Sequence, residues 1–251
     1  MFDVFRKNST IDVGEESREM SENGQNWKTL YKIGGIASII YLVYSLVTMV
    51  LMFTIGGQPA SAQEAFAMLA ENRLVGLLRL DMLTIFIVPL YYLIFLGTYA
   101  ALKKTNGAVV LLATALTFVG VTLFLATPSV FAWLTLSDKF AAATSEAQKT
   151  LLLAAGEAIL ASDMWHSSSA LIGGILLQTG ALLVSLIMLR SQSFSKPTAW
   201  VGIVTHGLDL AHVLIIPLVP AVGVAIMFVA GPLYLVWFPF LARDFFRLCR
   251  E

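Results

Sequence analysis

Six stretches of the chain are apolar over about 20 residues or more, the length a helix needs to cross a bilayer, and polar turn signals separate them. They lie at about 33–55, 76–102, 108–133, 163–190, 197–217 and 221–240. Trp27, Tyr31 and Lys32 mark the interface before the first, and Gly56, Gly57 and Pro59 end it. Lys103 and Lys104 divide the second from the third. Arg190 and the Lys196-Pro197 pair divide the fourth from the fifth, and Pro197 suits a first helical turn. Pro217 to Pro220 separate the last two. Pro89 predicts a kink in the second stretch, and Thr127-Pro128 a bend or an end in the third.

Two of the connections carry helices of their own. Ser61 and Glu64 have the S-x-x-E spacing of a capping box and open a helix over 61–72, whose apolar side (Phe66, Met68, Leu69) predicts a place on the bilayer surface. Ser145 and Gln148 open a second amphipathic helix over 145–161, with Glu157 expected in solvent. Each is followed by an Asp-Met pair (Asp81-Met82, Asp163-Met164), a weak internal repeat that the last hairpin lacks. Residues 1–27 are polar and acid-rich, which predicts a disordered tail, and they lack the pattern of a cleaved signal peptide. The expected fold is therefore all-α: a polytopic membrane domain over 28–251, with six transmembrane helices and two amphipathic outer-side connecting helices.

Composition agrees, because 58% of residues are hydrophobic and 13% charged, against about 25% charged in soluble domains. The lipid bilayer is thus the first partner implied. A formal net charge of zero argues against a nucleic-acid partner, and the single cysteine, Cys249, cannot form an intrachain disulfide. Twelve of the sixteen basic residues fall in the N-terminal tail, the turns at Lys103-Lys104 and Arg190 to Lys196, and the C-terminus; Arg73, Arg79, Lys139 and Lys149 lie opposite. Basic flanks favour the cytoplasm, so a cell-membrane protein with both termini cytoplasmic is expected.

With that topology Asp81, Asp163, His166, Asp209 and His212 share an outer depth, and His206 lies deeper. Ionisable groups within spans are costly, at least about 2.5 kcal/mol for a charge near the bilayer centre, which points to a polar interior or a site. The bland alternative for His206, Asp209 and His212 is interhelical hydrogen bonding, and Asp163 with His166 can simply cap the fourth span. Arg79 and Asp81 read as interfacial. Gly34 with Ser38, and Ser169 with Gly173, have the small-residue spacing of close helix contacts. On the sharper reading one outer pocket, roofed by the two connecting helices, binds or passes a small molecule, a lipid head group or a proton without enzymatic chemistry or a cofactor. Asp209 and its histidine neighbours are then expected to titrate as a coupled set. The competing reading is an intramembrane hydrolase in which His166, His206 and His212, with Asp209 or Asp163, hold a zinc-like divalent metal. The 120° or so that His206, Asp209 and His212 sweep on one helix makes joint ligation awkward. Walker A, G-x-G-x-x-G, H-E-x-x-H and G-x-S-x-G patterns are absent.

The run from Trp27 to Gly35, the run from Gly180 to Ser191, and the following Lys196-Pro197 and Gly202 resemble a family of prokaryotic six-span membrane proteins known only as a domain of unknown function. The resemblance implies the six-span fold over most of the chain after the tail, and no catalytic residue.

Overall fold

The computed structural model describes residues 27–126, 130–163 and 166–251; the polar tail, the Thr127-Pro128 bend and part of the second Asp-Met pair lie outside the described residues. Among the described residues all regular structure is helical, in the order α1 (Phe2–Ile55, taken from Trp27 on), α2 (Ala62–Glu71), α3 (Arg73–Arg79), α4 (Met82–Ile87), α5 (Leu90–Leu125), α6 (Val130–Ala142), α7 (Glu146–Leu160), α8 (Ser168–Met188), α9 (Lys196–Ile215) and α10 (Pro220–Arg250). Five segments are long and apolar enough to cross a membrane: Trp27–Ile55, Met82–Ala142, Ser168–Met188, Lys196–Ile215 and Pro220–Arg250.

The longest of these is folded on itself. At Asn106 the backbone leaves helical geometry (φ −158°, ψ 80°), and the Asn106 Oδ1 accepts from the amide of Val109 at 3.3 Å, starting a new helix as an N-cap. The chain then returns antiparallel. Tyr92 and Thr122 share a hydroxyl hydrogen bond of 2.7 Å, and the Tyr92 ring meets Phe118 edge-on at 4.9 Å. The returning half of α5 packs on α8 through small residues. A Cβ on Gly120 would lie 2.5 Å from the Gly173 carbonyl, and one on Gly180 2.3 Å from the Thr117 hydroxyl, so only glycine permits this approach. α8 packs on α9, α9 on α10, α10 on α1 and α1 on α5, which closes the long helices into a ring.

At the end of the ring that holds the α8–α9 turn, a fully buried carboxylate locks the chain. Asp244 accepts from the Ser195 amide at 2.8 Å and from the Thr198 hydroxyl, and faces the guanidinium groups of Arg243 and Arg247. It therefore caps the start of α9 from α10. Beside it the Phe245 ring fills the space left by Gly34 and Gly97, which makes the Gly34 contact a close helix contact as expected. Lys103 lies over the Trp27 ring at 3.0 Å.

The other end is covered by α2, α3, α6 and α7. Both capping motifs form as their spacing predicts: Ser61 Oγ accepts from the Glu64 amide at 3.2 Å, and Ser145 Oγ from the Gln148 amide at 3.3 Å. Two expectations are corrected. Helix α2 does not present Phe66, Met68 and Leu69 to a bilayer surface; all three are buried, and Phe66 packs on Trp133 and Phe140. Trp133 accordingly belongs to this cap, and the third apolar helix stops at Leu125. Glu157 is exposed, as expected, and its Oε1 also accepts from the Ala62 amide at 2.8 Å, capping α2 from α7.

The apolar stretches also begin and end elsewhere than expected. Residues 76–102 are not one kinked helix. Asp81 adopts the left-handed conformation (φ 58°, ψ 34°), which stops α3 and starts α4, and a second break precedes α5 at Pro89. Helix α8 starts at Ser168 rather than Asp163, and α10 runs on to Arg250.

The cap also holds a half-buried acid–base pair of consequence. Glu64 accepts from the Ala60 amide at 2.9 Å and from Arg79 at 2.9 Å, while Arg79 also donates to the Gly57 carbonyl at 2.7 Å. The backbone bond from Ala60, then Arg79, hold the Glu64 carboxyl below its ordinary value. A depressed carboxyl contributes stability that is present above its unfolded value and lost as pH falls through the folded one. Hydrogen exchange of the α2 amides, corrected for intrinsic rates, should therefore lose protection on acidification below the usual glutamate range. Glu64→Gln should start with less protection and lose that pH dependence; the same acid response in the variant would remove Glu64 as its cause.

Candidate functional site

Halfway along the ring three helices meet through polar side chains. Gln178 is the eleventh of the 21 residues of α8, His206 the eleventh of the 20 of α9, and Tyr234 the fifteenth of the 31 of α10. Asp209 lies one turn from His206 on α9. Gln178 Nε2 donates to Asp209 Oδ2 at 2.5 Å, and the Tyr234 hydroxyl donates to the same oxygen at 2.8 Å. The other face of the amide, Oε1, meets His206 Nδ1 at 2.8 Å. Gln178 Nε2 and the Tyr234 hydroxyl are themselves 3.2 Å apart.

The acceptor-only carboxylate fixes the direction of these bonds. It requires the NH₂ side of Gln178, so Oε1 faces His206 and Nδ1 carries the hydrogen. Nε2 of His206 is then a bare acceptor. It is buried without a partner, as are Trp237 Nε1 and Thr205 Oγ1. The His206 and Trp237 rings stand edge to face at 4.5 Å. An imidazole with no exposed surface, held by one amide and one indole, is fixed in tautomer and orientation.

Asp209 has neutral donors only. The ion pairs among the described residues are made by Glu64, Asp138, Glu146, Asp163, Asp244 and Glu251, and none by Asp209. Around it stand Tyr91 of α5, Gln178 of α8, His206 and His212 of α9, and Tyr234 of α10.

The other residues expected at the site are elsewhere. Asp163 accepts from the backbone amide of His166 at 3.0 Å and from its ring at 2.8 Å, in the turn before α8. His166 borders an open cleft of about 420 Å³ with Pro59, Ala60, Glu157, Leu160 and Ala161. That turn is separated from Gln178 by about 15 Å of helix, far beyond a water-bridged contact. Asp81 accepts from Gln58 at 2.6 Å at the capped end. His212 meets the Gly223 carbonyl at 2.9 Å and latches the α9–α10 hairpin. The single outer pocket inferred from shared depth is therefore corrected: Asp163 with His166, Asp81, and His212 form three separate contacts, and only His206 and Asp209 belong to one node at mid-length. The metal set of His166, His206, His212 and Asp209 is dispersed in the same way, and no three His, Cys, Asp or Glu residues converge among the described residues.

Two members of the node, Gln178 and Tyr234, escaped the sequence reading. A signal existed, since each is a hydrogen-bonding side chain in the middle of an apolar run.

No family model, curated protein or solved structure matches this chain.

If the node ties α8, α9 and α10 together, Tyr234→Phe combined with Asp209→Asn in a double-mutant cycle should give a coupling of about 1 kcal/mol, the scale of hydrogen bonds between membrane helices. Unfolding in bicelles measures it. Additive effects would place the Tyr234 hydroxyl outside the node.

Proposed function

We propose that the protein is a non-enzymatic, six-span membrane protein that takes up and releases a proton at Asp209. The observation that carries this is a carboxylate at the mid-length of the bundle that accepts from Gln178 and Tyr234 and, among the described residues, pairs with no Lys or Arg. A charge at that depth costs at least about 2.5 kcal/mol, and neutral donors offset part of it. Such a group is poised to take a proton from water, becoming a neutral carboxyl, and to return it.

The packing favours a proton over a larger ligand. Gln178, Tyr234, His206 and Asp209 already bond one another at 2.5 to 3.5 Å. An amine or a lipid head group would have to displace one of these bonds, whereas a proton adds to an oxygen already in place.

The count of six takes the segment Met82–Ala142 as two crossings, on the strength of its reversal at Asn106. It agrees with the family that the chain resembles. The basic residues orient the capped end outward, with both termini cytoplasmic. In a Cys249→Ser background, a cysteine at Ser145 should be labelled from outside and one at Ser193 only from inside; the reverse would invert the orientation.

Infrared difference spectroscopy across a pH titration in nanodiscs tests the function. One protonated-carboxyl band should form and vanish with pH and be missing in Asp209→Asn. A titration with no band that this variant removes would end the proposal.

A further inference from the structure

Asp209 is reached by His206 only through Gln178. The His206 Nδ1 lies 2.8 Å from Gln178 Oε1, and Nε2 of the same amide lies 2.5 Å from Asp209 Oδ2. An amide carries donors on one side and an acceptor on the other, and a half-turn about its last bond exchanges them. A Gln178 free to make that turn would suit Asp209 in either charge state: amino side toward the carboxylate, carbonyl side toward the neutral acid.

His206 removes the second option. With the hydrogen on Nδ1, reversal of the amide would set its amino group against another donor. The ring has no exposed surface from which to exchange that hydrogen. Trp237, whose indole nitrogen only donates, stands edge to face with it at 4.5 Å, and a donor beside the ring favours the tautomer whose Nε2 is bare. Tyr234 is not restricted in this way. Its hydroxyl donates to the Asp209 carboxylate at 2.8 Å and stands 3.4 Å from Gln178 Oε1, so it can accept from the neutral acid while turning its own hydrogen to the amide carbonyl. Tyr234 therefore serves both charge states, and Gln178 serves the ionised one.

We propose that His206 is a positioning residue for the proton site: by holding the amino side of Gln178 toward Asp209, it stabilises the carboxylate and weakens the hold of Asp209 on its proton. This rests on Asp209 being the proton site. The proton passes from water to Oδ2 and back to water, and His206 keeps its hydrogen on Nδ1 throughout. The titratable groups around Asp209 are Tyr91 on α5, His206 and His212 on α9, and Tyr234 on α10, while α8 presents the uncharged Gln178.

Infrared titration of the full chain in nanodiscs reads the midpoint of the Asp209 carboxyl band. His206→Leu frees the amide to reverse, so the midpoint should rise by about one pH unit, a tenfold tighter hold on the proton. His206→Asn, which places an amide N–H near the position of Nδ1, should return the midpoint toward wild type. Gln178→Leu should raise it too, and adding His206→Leu to that variant should bring no further rise, because the ring then has no amide to hold. A wild-type midpoint in His206→Leu, or an equal rise with and without Gln178, would overturn the role of His206 and leave the proton site standing. Absence of an Asp209 band in wild type itself would overturn both. Solid-state NMR of the wild-type chain tests the same role however the variants fold: the histidine ring nitrogen in contact with a glutamine side-chain carbonyl carbon should carry a hydrogen at pH values on both sides of the midpoint. A bare nitrogen there, or no such contact, would overturn the role of His206.

Discussion

A carboxylate at the middle of a membrane helix needs donors that its own helix cannot supply, because the backbone amides around it are already committed to the helical ladder. Asp209 meets that need from two other helices, through Gln178 on α8 and Tyr234 on α10. Once Gln178 turns its amino group to Asp209, its carbonyl must be satisfied too, and His206 does this from one turn away. One costly group thereby sets the rotation of three helices about their axes. Leu or Ile at these positions would pack in many rotations; this node accepts one.

The two ends of the bundle are fixed differently. At one, the buried Asp244 draws the start of α9 onto α10, and Arg243 and Arg247 balance its charge. At the other, a cap of short helices is joined by side chains that reach across the chain, Glu157 to Ala62 and Arg79 to Glu64. Charge is balanced at both ends, where water is near. At mid-length it is met by neutral donors, and on this difference rests the proposal that Asp209 exchanges a proton.

The features legible in the sequence were those whose partners are close in the chain. Ser61 and Ser145 cap helices three residues on, and Pro197 starts α9. The close approach at Gly173 was also readable from small-residue spacing. What could not be read depended on partners far away: Glu157 is exposed, but its bond to the Ala62 amide lies 95 residues along the chain. Asp81 looked like a residue within a span, yet its left-handed backbone makes it a break. Shared depth failed as a guide to the site because it ranks residues along one axis and ignores where each helix face points. His212 and Asp209 are one turn apart, and one turns to a backbone carbonyl of the hairpin while the other turns to Gln178.

The proposed proton site depends on Asp209, Gln178 and Tyr234 meeting at the mid-length of the bundle. Solid-state NMR of the full chain in lipid, with carbon-labelled aspartate and tyrosine, tests it most directly. A short-range correlation is expected between an aspartate carboxyl carbon and a tyrosine ring carbon that bears the hydroxyl, with its loss in Asp209→Asn and in Tyr234→Phe. A carboxyl signal from Asp209 with no tyrosine in contact would contradict it.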